Sequence, residues 1–495
     1  MNAMKSGAKP NIVFILADDH GAWALGSAGN DEIQTPHLDR LAQAGTRFSN
    51  FFCASPVCSP ARATILTGRI PSQHGVHDWI RSGNIDRGKL DENVSRDGVF
   101  RDEGSAADYM HGLTTYTELL AAHGYNCALS GKWHLGNSTM PQKGFDKWFT
   151  IARGGCSYMR PDIVRNGQVQ IADRYITDLI TEHALQYLEE LSAEEAPFYL
   201  AVHYTAPHSP WERSEHPERY VKLYDDCPFH ATPELPPHPD QSPTCPTGQG
   251  EQRKELLRGY YASITAMDAG IGELIGKLTQ LGLRDNTLVV YLGDNGMNMG
   301  HHGIWGKGNG TFPLNMYDTS VKVPAIFSHP GIIPSGRVSD DMLSQYDLFP
   351  TLLEYAGLAL PVEEGLPGQS FALLLKGEGD GAQRKVVVFD EYGPVRMIRS
   401  KDWKYVHRYP YGPHELYDLR NDPGETVNRI GDSLYKEVIT ALRSEMSEWF
   451  RRFVVPERDG VYAPVMGVGQ MQPYDRGNAV DGMFKPLIKP GSTIP

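Results

Sequence analysis

The sequence predicts an α/β protein. A large mixed, mostly parallel sheet is sandwiched by helices, and a smaller C-terminal antiparallel sheet packs on one helix. Three observations predict it. Short aliphatic runs such as "NIVFILADD", "PFYLAVHYTAPHSP" and "NTLVVYLGDNG" end abruptly in polar residues, as buried parallel strands do where ligands bind at their carboxyl ends. Amphipathic helical stretches alternate with these runs, which implies crossover connections. After about Gln383 the texture changes to closely spaced strands and one long helix. The division predicted is a large domain over 1–380 and an α+β subdomain with a wrapping tail over 381–495.

Taken in order, "NIVFILADD" is a buried strand, and "TPHLDRLAQAG" is a helix opened by Thr-Pro and stopped by Gly. "TRFSNFFCAS" is a strand. "TYTELLAAHGYNCALSGKWHLG" reads as helix, glycine, strand and polar loop, and "RYITDLITEHALQYLEEL" as a long amphipathic helix. The stretch from Trp211 to Gln252 is rich in Pro, His and Asp and reads as a long surface loop. A helix follows from about Lys254 to Leu281, then the strands "NTLVVYLGDNG" and "VPAIFSHPG", then the helix "QYDLFPTLLEYAG". "KVVVFDEY", "VRMIRS" and "DWKYVHRY" are the strands of the small sheet, and "SLYKEVITALRSEMSEWFRRF" is its helix. The Gly- and Pro-rich tail from about Val454 is expected to wrap the surface.

With 47 Lys and Arg against 60 Asp and Glu, the 495-residue chain carries a formal net charge of −13. That balance argues against nucleic acid or an anionic membrane as partner, and leaves room for a local basic pocket that takes a small anion. No run of apolar residues is long enough to span a bilayer. The N-terminal apolar run enters "DDHG" directly as a strand, so no signal peptide is read. A cytoplasmic protein is expected, periplasmic or secreted if a leader has been trimmed. Six scattered cysteines without a CxxC pair indicate neither zinc ribbon nor disulfide framework.

The chemistry-bearing clusters follow strands. "ASPVCSPARATILTGR" puts Cys58 at a helix N-terminus, where free N–H groups favour an anion, with Arg62 one turn on along the same face. The local pattern alone favours a buried structural cysteine beside a surface arginine. Asp18 and Asp19 in "ADDHG", with Asp294 and Asn295 in "GDNG", are four hard oxygen donors at two strand ends, a set that suits Ca²⁺ or Mg²⁺ rather than zinc. "GKWHLG" carries Lys132 and His134, on one side if the backbone is extended. "TAPHSP" carries His208 and "WGKGNGTF" carries Lys307. Each alone is a turn, a cap or a solvated side chain.

Together these clusters resemble the type I sulfatases of the alkaline-phosphatase superfamily. The segment from Pro56 to Gly68 is similar to that family's Cys-x-Pro-x-Arg signature, with Ala61 at a position where serine is more frequent. The resemblance implies that Cys58 is oxidised by a formylglycine-generating enzyme to formylglycine, which hydrates to a gem-diol. It implies one divalent cation, calcium in first place and magnesium or manganese as alternatives, on Asp18, Asp19, Asp294, Asn295 and residue 58. It further implies positive charge on the sulfate from Arg62, Lys132 and Lys307, leaving-group protonation by His208 with Lys307, and proton removal from the second diol hydroxyl by His134. Cys127 departs from the usual Ser or Thr of the second signature, which implies a packing difference only.

The substrate class that follows is a sulfate monoester, with a carbohydrate favoured. His77, Trp79, Arg81, Trp211, His301 and His302 are candidates for holding a sugar. Phosphonate monoester or phosphodiester hydrolysis is the alternative within the superfamily. Oligomeric state is not readable from the sequence.

Overall fold

The computed structural model describes residues 9–95, 98–360, 365–378, 387–474 and 482–486. Twelve strands precede residue 350: β1 Asn11–Ala17, β2 Thr46–Phe52, β3 Asn126–Gly131, β4 Lys147–Ile151, β5 Asp162–Arg165, β6 Gln168–Ile171, β7 Phe198–His203, β8 Thr287–Gly293, β9 Asn298–Met299, β10 Trp305–Gly306, β11 Ala325–Ser328 and β12 Arg337–Ser344. Ten of them form one sheet in the order β12-β2-β11-β8-β1-β7-β3-β4-β5-β6, and β9 and β10 pair separately. The centre runs parallel, β8-β1-β7-β3-β4, and both flanks turn antiparallel.

β1 lies at the middle and is buried along its whole length. Its side chains alternate between two cores, as the period of two demands. Ile12, Phe14 and Leu16 enter a cluster with Ile65 and Leu66 of the helix Cys58–Thr67 and Leu352 of the helix Leu348–Tyr355. Val13, Ile15 and Ala17 enter another with Leu179 of the helix Ile176–Ser192 and Ile271 of the helix Gly250–Gln280. Helices therefore cover both faces. The carboxyl ends of β1 and β8 lie side by side, Ala17 opposite Gly293, and open onto the polar clusters.

Four strands of the large sheet escape the sequence reading. β5 and β6 form an edge hairpin whose turn is Asn166–Gly167, both at positive φ, an Asn-Gly hairpin signal in an otherwise polar stretch. β4 and the polar edge strand β12 are fixed by their partners rather than by local pattern. The Trp211–Gln252 segment is corrected too. Trp211, Tyr224 and Phe229 are buried against Leu257, Tyr260 and Tyr261, and short helices interrupt it at Arg213–Glu215, Glu218–Val221 and Lys222–Tyr224. The helix after it starts at Gly250.

The C-terminal part is the four-stranded antiparallel sheet β13 Val387–Tyr392, β14 Val395–Ser400, β15 Trp403–Arg408 and β16 Glu415–Asp418, covered by the helix Lys436–Phe453. The 380/381 boundary lies outside the described residues. No helix among the described residues is long and apolar enough to cross a membrane.

Several histidines are buried and neutral. Burial holds His77 and His301 down to about 3 and His216 to about 4. In the unfolded chain each takes a proton near pH 6.5, so below that the unfolded state binds more protons. Stability is therefore present above pH 6.5 and falls as the pH drops towards 4, by up to ~1.4 kcal/mol per pH unit for each such histidine. Thermal melts across pH 4–8 check this; a melting temperature flat from pH 6.5 to 4.5 contradicts it.

Candidate active site

The site is built on the ends of β1 and β8. Asp18 and Asp19 follow β1, and Asp294 and Asn295 follow β8. All four are buried. The loops lock each other: Asp294 Oδ1 accepts from the backbone N–H of Asp19 at 3.1 Å and of Asn295 at 2.8 Å. Asp19 holds φ at 63°, a left-handed conformation rare outside glycine and a mark of functional constraint. Gln345 braces the second loop, donating from Nε2 to the carbonyls of Gly293 at 3.1 Å and Asp294 at 2.7 Å. Gln345→Ala is expected to cost about 1–3 kcal/mol, the price of unsatisfied buried carbonyls, read as a lower melting temperature.

Cys58 is the first residue of its helix, with extended Val57 as N-cap and Gly68 at φ 66° closing the C-terminus. The whole helix is buried, so Arg62 and Cys58 face inward rather than to solvent. Arg62 Nε donates to Asp294 Oδ2 at 2.9 Å and its Nη1 to the carbonyl of Lys132 at 3.0 Å. Lys132 Nζ donates to Asp18 Oδ2 at 2.5 Å. Lys307 Nζ lies 2.7 Å from Cys58 Sγ and also pairs with Asp19 Oδ1.

His208 donates from Nδ1 to the Ser209 carbonyl at 2.7 Å and turns Nε2 to Asp19 Oδ2 at 3.8 Å. His134 is at φ 56°, so its alignment with Lys132 comes from a left-handed turn after β3, not from an extended strand. Its Nε2 sits 2.8 Å from the Ile80 carbonyl, which takes the ring proton and leaves Nδ1 buried without a partner among the described residues. Gly154, absent from the sequence reading, makes room for that ring: a Cβ there would lie 2.2 Å from it.

The electrostatics are those of a crowded, dry cluster. Burial raises Asp18 above the usual carboxylate range against the pull of Lys132. Burial raises Asp19 as well, but Lys307 and His208 overcome it and hold it low. Against burial, Arg62, Lys132 and Lys307 hold Asp294 well below its ordinary value. Burial and Asp18 push the Cys58 thiol up to about 12, outweighing the two lysines. Oxygens of Asp18, Asp19 and Asp294 lie within 4.8 Å of one another. Asp18 Oδ1 and Asn295 Oδ1 are buried with no hydrogen-bond donor among the described residues. Orphaned hard oxygens converging beside three carboxylates fit a divalent cation of the calcium or magnesium type.

A cavity of about 270 Å³ opens above this floor, with Asp19, Cys58, His134, His208 and Lys307 in its lining. Trp79, Arg81 and Trp211 also line it, as do Thr244–Pro246 of the segment that reads as a surface loop. Three sequence candidates do not. His77 is buried edge-on against Tyr474, His301 packs on Trp23, and His302 stacks on Tyr317. All six cysteines are free, and Cys127 packs in the core as its position implies.

The model of the family described as Sulfatase matches residues 10–358, and that described as N-sulphoglucosamine sulphohydrolase, C-terminal, matches residues 300–452. The chain is 30% identical over 471 residues to an ulvan-active sulfatase of Formosa agariphila, covering 89% of this chain and 81% of the relative. It is 27% identical over 523 residues to an N-acetylglucosamine-6-O-sulfatase of Bacteroides thetaiotaomicron, covering 89% and 87%. Among solved structures, a protein in complex with its substrate D-glucosamine-2-N,6-O-disulfate superposes with a TM-score of 0.74 at 25% identity, covering 91% of this chain and 99% of that one. The α/β sheet with its C-terminal antiparallel sheet, the family match over most of the chain and these relatives agree: the chain belongs to the sulfatase family of the alkaline-phosphatase superfamily and is a sulfuric ester hydrolase.

Proposed function

We propose that this chain hydrolyses a sulfate monoester on a carbohydrate, using a formylglycine made from Cys58 and one divalent cation, with calcium in first place. The observation that carries the reading is the placement of Cys58: it lies at the floor of the cavity with Sγ 2.7 Å from Lys307 Nζ and beside Asp18 and Asp19, where a cation would sit. Oxidation to an aldehyde, hydrated to a diol, supplies the hydroxyl nucleophile that the thiol is not. The relatives' names, an ulvan-active sulfatase and an N-acetylglucosamine-6-O-sulfatase, support a sugar.

Asp18, Asp19, Asp294 and the Asn295 amide oxygen would hold the cation, together with residue 58. When bound, a divalent cation neutralises sulfate charge and lowers the pKa of a neighbouring hydroxyl. Arg62 orients Asp294, and Lys132 and Lys307 present ammonium groups where the sulfate oxygens gather charge. His208 keeps Nδ1–H on the Ser209 carbonyl, so a second proton on Nε2 faces the cavity and can pass to the departing alcohol oxygen. His134 keeps its proton on the Ile80 carbonyl, so Nδ1 is the lone pair that accepts one from residue 58. In domain terms, 1–380 carries this chemistry and 381–495 supports it.

The test is sulfate release, read by ion chromatography, from protein made with a formylglycine-generating enzyme. The panel holds sulfated mono- and disaccharides, 4-nitrophenyl sulfate and a phosphodiester. Sulfate from a sugar is the expected result; cleavage of the phosphodiester alone overturns the proposal. His208→Ala is expected to lower kcat about a hundredfold or more on a sugar sulfate, whose alkoxide must be protonated, and less than about tenfold on 4-nitrophenyl sulfate. Equal losses on both esters would remove His208 from the general-acid role.

A further inference from the structure

One wall of the cavity lies beyond the residues that either family model matches. Those matches end at residue 452, yet Gly467 and Val468 line the cavity. The tail reaches it by running beside residues 75–81. Arg81 N–H donates to the Gln470 carbonyl and Gln470 N–H to the Trp79 carbonyl, both at 2.8 Å. The Gln470 side chain is fully buried. Its Oε1 accepts from the N–H of His77 at 2.8 Å and of Asp78 at 3.3 Å, and its Nε2 donates to the Gly75 carbonyl at 3.1 Å. Asp78 returns the contact, accepting from Gly469 N–H at 2.9 Å and from the Tyr392 hydroxyl on β13 at 2.6 Å.

This lacing sets two side chains. Trp79 Nε1 donates to the Gly467 carbonyl at 3.2 Å, and Arg81 Nη1 to the Val468 carbonyl at 3.1 Å. The Arg81 guanidinium stands 5.3 Å from the Trp79 ring centroid, with Nε on Asp102 at 2.7 Å. Its Nη2 makes no hydrogen bond among the described residues. Both side chains are half-buried and both line the cavity that ends at Cys58. An indole ring beside a fixed guanidinium whose Nη2 is left to donate suits a pyranose: C–H groups on the ring, an acceptor oxygen on Nη2.

We propose that the tail segment Gly467–Gln470 makes Trp79 and Arg81 into the wall that selects the sugar carrying the sulfate, with Gln470 as the positioning residue. The inference rests on the carbohydrate-sulfate reading above. The sulfate end is met at the floor by Lys307 and by the cation that the carboxylates would hold, and the alcohol end by this wall. The acceptor at Arg81 is an oxygen of the sugar: a hydroxyl, a carboxylate or a second sulfate.

The experiment measures binding without turnover, on Cys58→Ala protein by calorimetry. N-acetylglucosamine 6-sulfate, its 2-N,6-O-disulfated glucosamine counterpart and a sulfated uronate disaccharide probe the whole cavity, and inorganic sulfate probes only its floor. Adding Arg81→Ala or Gln470→Ala is expected to weaken the best-bound sugar about tenfold and inorganic sulfate by less than about twofold. The sugar with the largest change identifies the acceptor. Equal weakening of sugar and sulfate, no change in either, or no binding of any of the three sugars overturns the proposal. Melting temperatures establish that each variant is folded, and Arg81→Ala alone decides if Gln470→Ala is not. In the matured enzyme the same variants should raise KM while kcat stays within about threefold. Absence of sulfate release from these sugars by matured wild type would count against the carbohydrate-sulfate reading, while the binding ratio still judges the wall.

Discussion

Cys58→Ala is expected to abolish sulfate release, lowering kcat by about a thousandfold or more, because it removes the side chain whose oxidation and hydration would supply the hydroxyl nucleophile. The effect is chemical rather than structural. Cys58 sits at the start of a fully buried helix whose packing is carried by Ile65, Leu66 and the Arg62 ion pair, so loss of one sulfur leaves the helix in place. The alanine protein should melt within a few degrees of wild type and still bind substrate. Mass spectrometry of the peptide that spans residue 58 provides the companion measurement. In active wild type it should show the aldehyde, and activity should scale with the aldehyde fraction. Full activity from protein whose residue 58 is an unmodified thiol would sink this account, since a thiol carries no diol hydroxyl to attack the ester.

Removal of divalent cations should have the second-largest effect. Three buried carboxylates converge, one of their oxygens (Asp18 Oδ1) and the Asn295 amide oxygen have no hydrogen-bond donor among the described residues, and Arg62, Lys132 and Lys307 balance only the charge. They leave the inward-facing lone pairs unsatisfied. A cation bound there acts on both stability and rate. At a thousandfold excess over its Kd it adds about 4 kcal/mol to the folded state, and chelation returns that. The measurement is a melt with and without a chelator, then with Ca²⁺, Mg²⁺ or Mn²⁺ restored one at a time, beside a sulfate-release assay. Activity is expected to fall about a hundredfold or more on chelation. Calcium should restore both melting temperature and activity. In Asp294→Asn the calcium-dependent rise in melting temperature should shrink, since the loop loses a formal charge. A melting temperature and rate indifferent to the chelator would exclude the cation.

Both expectations rest on residues that local pattern exposes. Asp18, Asp19, Asp294 and Asn295 stand at the ends of two uninterrupted aliphatic runs, and adjacency of those runs in a parallel sheet brings the acids together. Cys58 and Arg62 share one helical segment. Lys132, His208 and Lys307 follow or precede recognisable strands and converge as their order implies. What failed was inference from nearness in sequence. His301 and His302 lie between the cation loop and Lys307, yet they pack on Trp23 and Tyr317 because Gly300 and His302 take positive φ and turn the chain away. His77 lies two residues from Trp79 and points into the tail instead of the cavity.

Two residues that set the site, Gly154 and Gln345, had no local signal at all. Gly154 is one glycine in "RGGC" until the His134 ring is placed against it. Gln345 is a polar residue ahead of a helix until its amide is seen to span the carbonyls behind Asp294.

The sequence by itself determined the strands and the polar clusters that follow them, and its resemblance to the sulfatases supplied the chemistry, because strand period, helix start and the grouping of charged residues after strands are short-range properties that a single chain displays. Only the tertiary structure decided the shape of the substrate cavity. Trp79 and Gly467 are 388 positions apart, and nothing in either neighbourhood encodes a hydrogen bond that exists only after the whole sheet, its covering helices and the C-terminal sheet have packed.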